Sequence, residues 1–461
     1  MGDCIAAIST PPGEGGIAVI RVSGESAPEI VDKIFLSRSG KKIREFRSHS
    51  LNLGYIRDEN GTLVDEVLVS RMDAPRSYTG ENVVEINCHG GAVATRKCLE
   101  LVINAGARLA EPGEFTKRAF LNGRLDMVQA EAVIEIIRAR SEKALALSTR
   151  NLTGVLSRTL QQVEDELIFV NSRLEGSIDF PEEVGEPNWQ EIEERLQVIE
   201  DRLQKLAAGS KRARVYRDGV RVVIAGKPNV GKSSLLNVLA QKEKAIVTEL
   251  PGTTRDLIED LIYIRGIPVW VTDTAGIRET QDVIESIGGE KTRAALAEAD
   301  IVVFVVDAST GIQDEDLEIM KQIEDKRRLV VINKTDIQDR CLSAEEVRNM
   351  FSGVQTVEIS ALEETGIEEL ESALEELIIG KTDLGEAERE MEIMTNLRQE
   401  RAIEAALEHV RDAIAGVKNR QPIDGIAVDT WGAVSWIEEI TGKAIRTDVM
   451  ERIFADFCIG K

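Results

Sequence analysis

The sequence predicts a multidomain α/β protein, because three different textures follow one another along its 461 residues. Residues 1 to about 118 carry short apolar runs separated by Gly and Pro, which is typical of a small α+β domain. Gly-poor stretches with helical periodicity follow, and they return near the end of the chain. Between them, residues 219–380 alternate apolar runs with helical runs, which predicts a mostly parallel sheet covered by helices. The helical stretches are 125–175, 189–208, 386–414 and 431–457.

These textures predict four segments. An N-terminal α+β domain is expected over residues 1–118, and a first all-helical part over 119–218. The α/β domain is expected over 219–380, and a second helical part over 381–461. Because both ends of the α/β domain then attach to one helical domain, a movement of the former can be transmitted to the latter. The alternative is that the helices are an inert scaffold.

The composition argues against several classes of protein. The net charge of −24 disfavours broad, non-specific binding to nucleic acid. No apolar run approaches the ~18 residues of a membrane span, and the first residues do not read as a secretory signal, so a cytoplasmic protein is expected. The five cysteines are scattered without a C-x-x-C pair, and only three histidines are present. This pattern argues against a zinc or disulfide framework.

The α/β segment contains a phosphate-binding motif. Gly226–Ser233 reads Gly-Lys-Pro-Asn-Val-Gly-Lys-Ser, a complete G-x-x-x-x-G-K-[ST] pattern. The apolar run 220–225 precedes it and the helical run 234–239 follows, which places the loop at a helix N-terminus. In such a loop backbone N–H groups surround the phosphates, Lys232 reaches the β- and γ-phosphates, and Ser233 ligates Mg²⁺.

Three further motifs narrow the nucleotide to GTP. Asp273–Gly276 follows a strand-like run, so Asp273 can hold Mg²⁺ through water and Gly276 can donate a backbone N–H to the γ-phosphate. Asn333–Asp336 follows two more apolar runs, and a carboxylate there accepts two guanine N–H donors that adenine lacks. Ser360–Leu362 is placed to close over the base. These elements in this order resemble the translation-factor-like GTPases, which have a Ras-like P-loop fold.

The segment between the loop and Asp273 must complete the reaction site. Thr254 is the predicted second hydroxyl ligand of Mg²⁺. Many small GTPases have a Gln directly after the Asp-x-x-Gly motif, whereas this chain has Ile277, which cannot orient the attacking water. Glu285 and Arg278 lie close by in the sequence and are the polar residues available for that task.

A monovalent cation is one source of the positive charge that hydrolysis requires. The Asn229 amide oxygen can ligate such a cation, together with backbone carbonyls of the loop 248–253. The alternative interpretation of Asn229 is ordinary loop chemistry, because Asn tolerates turn geometry.

Charged residues outside the α/β segment stand beside strand ends and Gly turns. Arg21 lies on a predicted strand, Glu85 alternates with apolar neighbours, and a charged stretch covers residues 111–126. These side chains line a small-molecule pocket or form surface salt bridges, and the residues alone favour the salt bridges. The Cys458 thiol is interpreted as a small buried residue rather than a nucleophile.

The motifs together resemble one family, the MnmE (also called TrmE) tRNA uridine-5-carboxymethylaminomethyl modification GTPases. The resemblance spans the whole chain, and its first and last motifs are not shared with ordinary GTPases. The residues that carry it are Thr10–Gly13 with Gly15 and Gly16, Arg21–Gly24, Tyr78–Glu81, His89–Gly91, Pro112–Phe115, Ala119–Asn122, Gly226–Ser234, Gly252–Asp256, Asp273–Gly276 and Cys458–Lys461.

The resemblance implies an N-terminal domain similar to folate-binding one-carbon domains, which would also form a homodimer. Arg21, Glu85, Arg124 and Lys461 match the tetrahydrofolate-binding positions of the family, which reverses the preference for salt bridges. The ligand would be 5,10-methylenetetrahydrofolate, or 5-formyltetrahydrofolate as a bound analogue. Position 124 is Arg where Lys also occurs in the family, so the charge is kept while the geometry differs.

The resemblance also implies a potassium-activated GTPase whose G domains dimerise through their switch regions. Glu285 matches the catalytic residue that orients water. The potassium positions are Asn229, Thr248, Leu250 and Thr253, and the magnesium positions are Ser233 and Thr254. The predicted GTP contacts are Asn229, Val230, Gly231, Lys232, Ser233, Ser234, Thr248, Glu249, Leu250, Pro251, Gly252, Thr253, Thr254, Asp273, Thr274, Ala275, Gly276, Asn333, Lys334, Asp336, Ser360, Ala361 and Leu362.

The family acts with MnmG, an FAD-containing protein, and the resemblance therefore implies a heterotetramer that acts on the wobble uridine of certain tRNAs. It would add a carboxymethylaminomethyl or aminomethyl group at carbon 5, with the methylene carbon coming from folate. The alternative function is a regulatory switch GTPase in ribosome assembly, which would not need Arg21, Glu85 or the C-terminal motif.

Overall fold

The computed structural model describes residues 3–242, 259–273, 295–351, 353–380 and 395–461. Contacts within the chain define two units. Unit 1 comprises Met1–Ile137, Thr149–Leu203 and Arg401–Lys461, and unit 2 comprises Arg138–Ser148 and Gln204–Glu400. The predicted domain boundaries at 118, 218 and 380 stay predictions.

Unit 1 contains a seven-stranded sheet in the order β3-β4-β5-β6-β2-β1-β7. Neighbouring strands are antiparallel except β1 and β7, which are parallel. The strands are β1 Ile5–Ile8, β2 Gly15–Ser23, β3 Phe35–Ser37, β4 Ser50–Arg57, β5 Leu63–Met72, β6 Val83–Gly90 and β7 Arg108–Leu109.

Alternation along β2 and β6 separates a core face from a polar face. Ile20 and Val22 of β2 pack with Ile86 of β6 in a fully buried cluster. The intervening residues Arg21 and Glu85 are direct cross-strand partners in the register of the two strands. Because successive side chains of a strand point to opposite faces, this register carries both charges to the face opposite the core.

A network of ion pairs fastens helix α3 (Glu114–Leu121) to the strands of unit 1. Arg118 Nη2 lies 3.0 Å from Glu114 Oε1 and 2.8 Å from Asp3 Oδ1, and its Nη1 lies 3.1 Å from Glu81 Oε2. Arg108 Nη2 lies 2.5 Å from Glu114 Oε1. Burial opposes the charge of Glu114, but hydrogen bonds from Arg108, the Glu111 backbone and Arg118 outweigh it and lower the pKa of its carboxyl.

Most of the remaining helices of unit 1 fall in the predicted all-helical segments, whereas α1 (Ala27–Asp32) and α2 (Ala92–Asn104) belong to the predicted α+β segment. Helices α6 (Val155–Asp179) and α14 (Ile423–Thr441) pack together, and Trp431 Nε1 donates to Glu175 Oε1 at 2.9 Å. Other helices within unit 1 are α1 Ala27–Asp32, α2 Ala92–Asn104, α7 Pro181–Val184 and α15 Thr447–Ala455. Helix α4, Met127–Arg138, belongs to unit 1 except for its last residue. Helices divided between the units are α5 Glu142–Leu152, α8 Trp189–Asp218 and α13 Leu397–Lys418.

Unit 2 contains a six-stranded sheet in the order β13-β12-β11-β8-β10-β9, parallel except for the β9–β10 pair. Val222 and Ile224 of β8 face one buried cluster, and Val223 and Ala225 face another on the opposite side. The predicted fold class is therefore confirmed. The strands are β8 Val220–Ala225, β9 Glu259–Ile264, β10 Ile267–Asp273, β11 Ile301–Asp307, β12 Arg327–Asn333 and β13 Gln355–Glu358. The helices are α9 Lys232–Lys242, α10 Asp314–Gln322, α11 Ala344–Met350 and α12 Ile367–Ile379.

The parallel strands of unit 2 end at one edge of the sheet. In α/β sheets, ligands bind outside the carboxyl ends of the strands. The carboxyl ends of β8, β10, β11 and β12 are therefore where the nucleotide motifs meet. In the parts of the chain that the structure describes, no helix is both long and apolar enough to cross a membrane.

The ion-pair network predicts an acid-sensitive contribution to stability. The folded-state pKa of Glu114 lies below its ordinary value of 4.5. Ionised Glu114 therefore stabilises the folded protein fully at pH values above 4.5, and this stabilisation is lost as the pH falls through the pKa of the folded state. We expect Glu114→Gln to lower the free energy of unfolding near neutral pH by about 1.5–3 kcal/mol, the range for hydrogen bonds to charged groups. Urea denaturation at a series of pH values measures both effects.

Glu111→Gln is the matched control, because Glu111 is exposed and lies just before the same helix. Its effect is expected to stay within about 0.5 kcal/mol. Equal unfolding curves for Glu114→Gln and the wild type between neutral and acidic pH would contradict the role of the network.

Candidate functional site

The phosphate-binding motif forms the turn between β8 and α9. Gly226 has φ +147°, and a Cβ there would collide with the Val305 carbonyl oxygen. Gly231 has φ +97°, and a Cβ there would collide with Asn333 Nδ2. Other residues are excluded at both positions, because the backbone has a positive φ and neighbouring strands leave no room for a Cβ atom.

The lysine of the motif is buried against its own loop. Lys232 Nζ donates to the carbonyl oxygens of Gly226 at 2.8 Å and Lys227 at 2.7 Å. Ser233 and Ser234 follow in the first turn of α9 and are exposed. Asn229 is exposed at the tip of the loop with φ +65°, a conformation that suits both a cation ligand and an ordinary turn residue.

Asn333 joins the loop to the base-recognition motifs. Its Nδ2 donates to the Val230 carbonyl oxygen at 2.9 Å, and its Oδ1 accepts from the Ala361 backbone N–H at 3.0 Å. Asn333 is almost completely buried, so both hydrogen bonds are shielded from water. Three segments that are far apart in the sequence are thereby held at one edge of the sheet.

The carboxylate expected to recognise guanine is held in place by a serine. Ser360 Oγ donates to Asp336 Oδ1 at 2.6 Å and also accepts from the Glu363 backbone N–H at 3.1 Å. Asp336 is exposed, and Leu362, two residues after Ser360, is 83% exposed. An exposed carboxylate and an exposed apolar side chain suit a planar base with N–H donors on its edge.

Two acidic residues of this site were missed by sequence reasoning. Lys334 Nζ donates to Asp307 Oδ2 at 2.6 Å. Burial opposes ionisation of Asp307, but hydrogen bonds from Lys334 and Ser309 outweigh it and lower the pKa of the carboxyl. Lys227 of the loop is paired at 2.7 Å with Asp316, whose side chain is buried. Asp307 could have been identified from the sequence, because it is a charged residue directly after the apolar run 301–306.

Part of the predicted nucleotide site lies outside the described residues. Asp273 ends β10, which places its backbone at the correct edge, but its side chain is not among those described. The other predicted residues outside the described ranges are Thr248, Glu249, Leu250, Pro251, Gly252, Thr253, Thr254, Thr274, Ala275, Gly276 and Glu285. Their roles stay predictions.

Unit 1 contains a second candidate site, built around Arg21. Arg21 Nε donates to Glu85 Oε1 at 2.8 Å. The guanidinium carbon lies 4.8 Å from the ring centroid of Tyr78 and 5.6 Å from that of Phe115. Among the described residues, none accepts a hydrogen bond from the buried Arg21 Nη1. A buried cationic donor of this kind is a place for an acceptor group of a ligand.

The second arginine of this site approaches the same tyrosine. The Arg124 guanidinium carbon lies 5.1 Å from the Tyr78 centroid, and Arg124 Nη1 donates to the Tyr78 carbonyl oxygen at 3.0 Å. Asn122 Nδ2 donates to the Thr79 carbonyl oxygen at 2.8 Å. Two side-chain hydrogen bonds therefore hold the segment that ends at Arg124 against the Tyr78–Glu81 motif.

The C-terminus completes a cavity of about 470 Å³. Lys461 lines it together with Tyr78 and Arg124, and apolar side chains of α4 form another wall. Burial and the nearby Arg21 lower the pKa of the Lys461 ammonium, with Glu85 opposing that change. The cavity lining therefore combines two cationic groups, an aromatic ring and an apolar wall, and the Arg21–Glu85 pair acts electrostatically on its Lys461. This combination suits a flat ligand with carboxylates.

The terminal residues are positioned by a glycine. Ser9 Oγ donates to the Gly460 carbonyl oxygen at 2.9 Å. Gly460 has φ +96°, and a Cβ there would collide with the Ile8 carbonyl oxygen, so only glycine fits. The interpretation of Cys458 as a buried residue is wrong, because the structure exposes this residue at the surface.

Two solved structures resemble part of this chain. The G domain of the T. maritima FeoB iron transporter has 25% identity and a TM-score of 0.26, over 34% of this chain and 98% of that chain. A single-substitution variant of Aquifex aeolicus Era bound to GDP·AlF4⁻ has 28% identity and a TM-score of 0.28, over 41% of this chain and 66% of that chain. TM-scores this low do not by themselves establish a shared fold.

Family and whole-chain comparisons are far more extensive. Residues 4–124 match the family described as the GTP-binding protein TrmE N-terminus, and residues 127–458 match the MnmE helical domain. The tRNA modification GTPase MnmE of Syntrophomonas wolfei is 50% identical over 100% of both chains, and that of Moorella thermoacetica is 46% identical over 100% of both. The chain therefore belongs to the MnmE family of tRNA modification GTPases, and it is a GTP hydrolase that acts in tRNA modification.

Proposed function

We propose that this protein is a potassium-activated GTPase that drives folate-dependent modification of the tRNA wobble uridine. It acts in the cytoplasm as a homodimer and in a heterotetramer with the FAD-containing MnmG. The product carries a carboxymethylaminomethyl or aminomethyl group at carbon 5 of the uridine. One observation carries the proposal beyond family membership. Arg21 and Arg124 lie over the Tyr78 ring, Glu85 pairs with Arg21, and Lys461 lines one cavity with Tyr78 and Arg124, although these residues are far apart in the sequence.

The residues of the unit 1 cavity fit a tetrahydrofolate. A reduced pterin has an edge of N–H donors, for which Glu85 is an acceptor, and a glutamate tail whose carboxylates suit arginine and lysine. Arg21 Nη1, which is buried and has no acceptor among the described residues, supplies a donor that the ligand can satisfy. Tyr78 offers a ring face for stacking. When bound, the folate supplies the one-carbon unit of the modification.

The nucleotide site supplies the hydrolysis. Lys232 binds the β- and γ-phosphates, and Ser233 and Thr254 hold Mg²⁺, with Asp273 acting through water. The Asp336 carboxylate, fixed by Ser360, selects guanine. Hydrogen bonds of Asn333 hold the loop and the base motifs in one geometry.

Potassium and Glu285 supply the positive charge and the water-orienting group that hydrolysis of GTP requires. Asn229, with carbonyls from Thr248, Leu250 and Thr253, holds K⁺, which supplies positive charge where negative charge develops. Glu285 orients the attacking water, because the apolar Ile277 cannot do so.

The folate proposal is tested by calorimetric titration with 5-formyltetrahydrofolate. We expect the wild type to bind, and Arg21→Ala to bind at least about tenfold more weakly, because one charged hydrogen-bond donor is worth about 1.5–3 kcal/mol. Arg57→Ala is the matched control, since Arg57 is an exposed arginine of the same sheet. Absence of binding by the wild type would reject the folate site.

The potassium proposal is tested by GTP turnover in potassium and in sodium. We expect turnover to be faster in potassium, and Asn229→Ala to remove that preference and to slow turnover on the order of 10²-fold. Asn237→Ala, on the exposed side of α9, should keep both rate and preference. Equal wild-type rates in the two cations would contradict the role given to Asn229.

The role of Glu285 predicts a separation of binding from chemistry. Glu285→Ala should leave the affinity for GTP nearly unchanged and slow hydrolysis by about 10²–10⁴-fold, the range for a residue that handles a proton or a water. Single-turnover hydrolysis and fluorescent-nucleotide titration measure the two quantities. Glu279→Ala, in the same polar stretch, is the control, and unchanged turnover in Glu285→Ala would remove Glu285 from the mechanism.

A further inference from the structure

Two cysteines that are scattered in the sequence meet in the core of unit 1. Cys88 lies on β6 and Cys98 on α2, and both are almost completely buried. Asp65 of β5 is their neighbour, with a side chain 9% exposed. One ligand atom from each of the three residues lies within 4.8 Å of the other two. Two sulfurs and a carboxylate in this arrangement form a set of donors that the sequence pattern did not indicate.

The carboxylate of this cluster is oriented by the residue after Cys88. Asp65 Oδ2 accepts from the His89 backbone N–H at 2.8 Å, and Asp65 Oδ1 lies 2.6 Å from His89 Nδ1. The His89 side chain is 71% exposed, so the cluster approaches solvent at its carboxylate side. Carboxylates that ligate metal ions are themselves held by hydrogen bonds, and His89 supplies those bonds to Asp65.

The two thiols are close enough to interact by a hydrogen bond. A hydrogen bond from Cys98, helped by the Thr95 hydroxyl and opposed by burial, lowers the pKa of Cys88 to about 7. The same hydrogen bond, together with burial, raises the pKa of Cys98. Thiolate is the form of cysteine that binds metal ions, so a hydrogen bond that favours the Cys88 thiolate also favours metal binding.

We propose that Cys88, Cys98 and Asp65 form a binding site for a thiophilic divalent metal ion of the zinc class. Tetrahedral zinc with Zn–S bonds near 2.3 Å and a Zn–O bond near 2.0 Å places two sulfurs about 3.8 Å apart and a sulfur and an oxygen about 3.5 Å apart. The ligand atoms, which lie within 4.8 Å of one another, therefore need to approach by about 1.3 Å at most. Binding releases the remaining thiol protons to solvent, and three negative ligands then face a 2+ ion.

The three residues leave the fourth position of a tetrahedron to water or another small ligand. The site lies on the opposite face of β6 from Glu85, because Cys88 follows the core alternation of Ile86. The proposal is therefore independent of the folate and GTP sites.

The experiment uses the full chain, reduced and treated with chelator, and titrates it with Zn²⁺ and separately with Cd²⁺. Competition with a coloured chelator measures Zn²⁺ affinity, and the ultraviolet thiolate-to-cadmium band reports sulfur ligation. We expect about one ion per chain. Cys88→Ala and Cys98→Ala should each weaken binding by at least about 100-fold and lose the band, because the loss of a direct ligand exceeds the 10–100-fold cost of an outer-shell change.

Three other cysteines are matched controls. Cys4→Ala removes a buried thiol from the same core, and Cys341→Ala and Cys458→Ala remove exposed thiols. All three should keep the ion. Asp65→Asn leaves both thiols in place and should weaken Zn²⁺ binding. Added Zn²⁺ should therefore raise the melting temperature of this variant less than that of the wild type. No binding by the wild type, or binding that persists without Cys88 and Cys98, would overturn the proposal.

Discussion

The antiparallel register between β2 and β6 governs most of what unit 1 can do. It pairs Arg21 with Glu85 on one face and buries Ile20, Ile86 and Cys88 on the other. A slip of one residue would exchange the two faces, so that charges would enter the core and apolar side chains would line the cavity. The bulge between Gly15 and Ala18 confines irregular pairing to the start of β2, away from the Arg21–Glu85 pair.

In unit 2 the comparable constraint is the common edge of a parallel sheet. The phosphate-binding loop, Asn333 and the segment at Ala361 each follow a different strand, and they meet because those strands run in the same direction. The two hydrogen bonds of Asn333 then convert proximity into fixed geometry. Gly231 is required at the same place, because any side chain there would collide with the Asn333 amide.

Much of this was predictable, and the exceptions have physical reasons. Periodicity and turn residues predicted the α+β, helical and parallel-sheet regions, and the phosphate-binding loop has a fixed spacing because backbone N–H groups must converge. Arg21 and Glu85 were visible as charges within apolar alternation. Nothing local distinguished a pocket from surface salt bridges, because the cavity is completed by Lys461, whose ammonium interacts electrostatically with Arg21 and Glu85 from the far end of the sequence.

The sequence by itself determined the order of the elements, the nucleotide class and the membership of the family, because these depend on short motifs and on periods of two and 3.6 residues. Only the tertiary structure decided that Arg124 and Lys461 line one cavity with Tyr78. It also decided that Cys458 is exposed and that Cys88 and Cys98 lie close to Asp65. Those facts depend on how distant segments pack, and no local pattern of residues encodes a distance between segments.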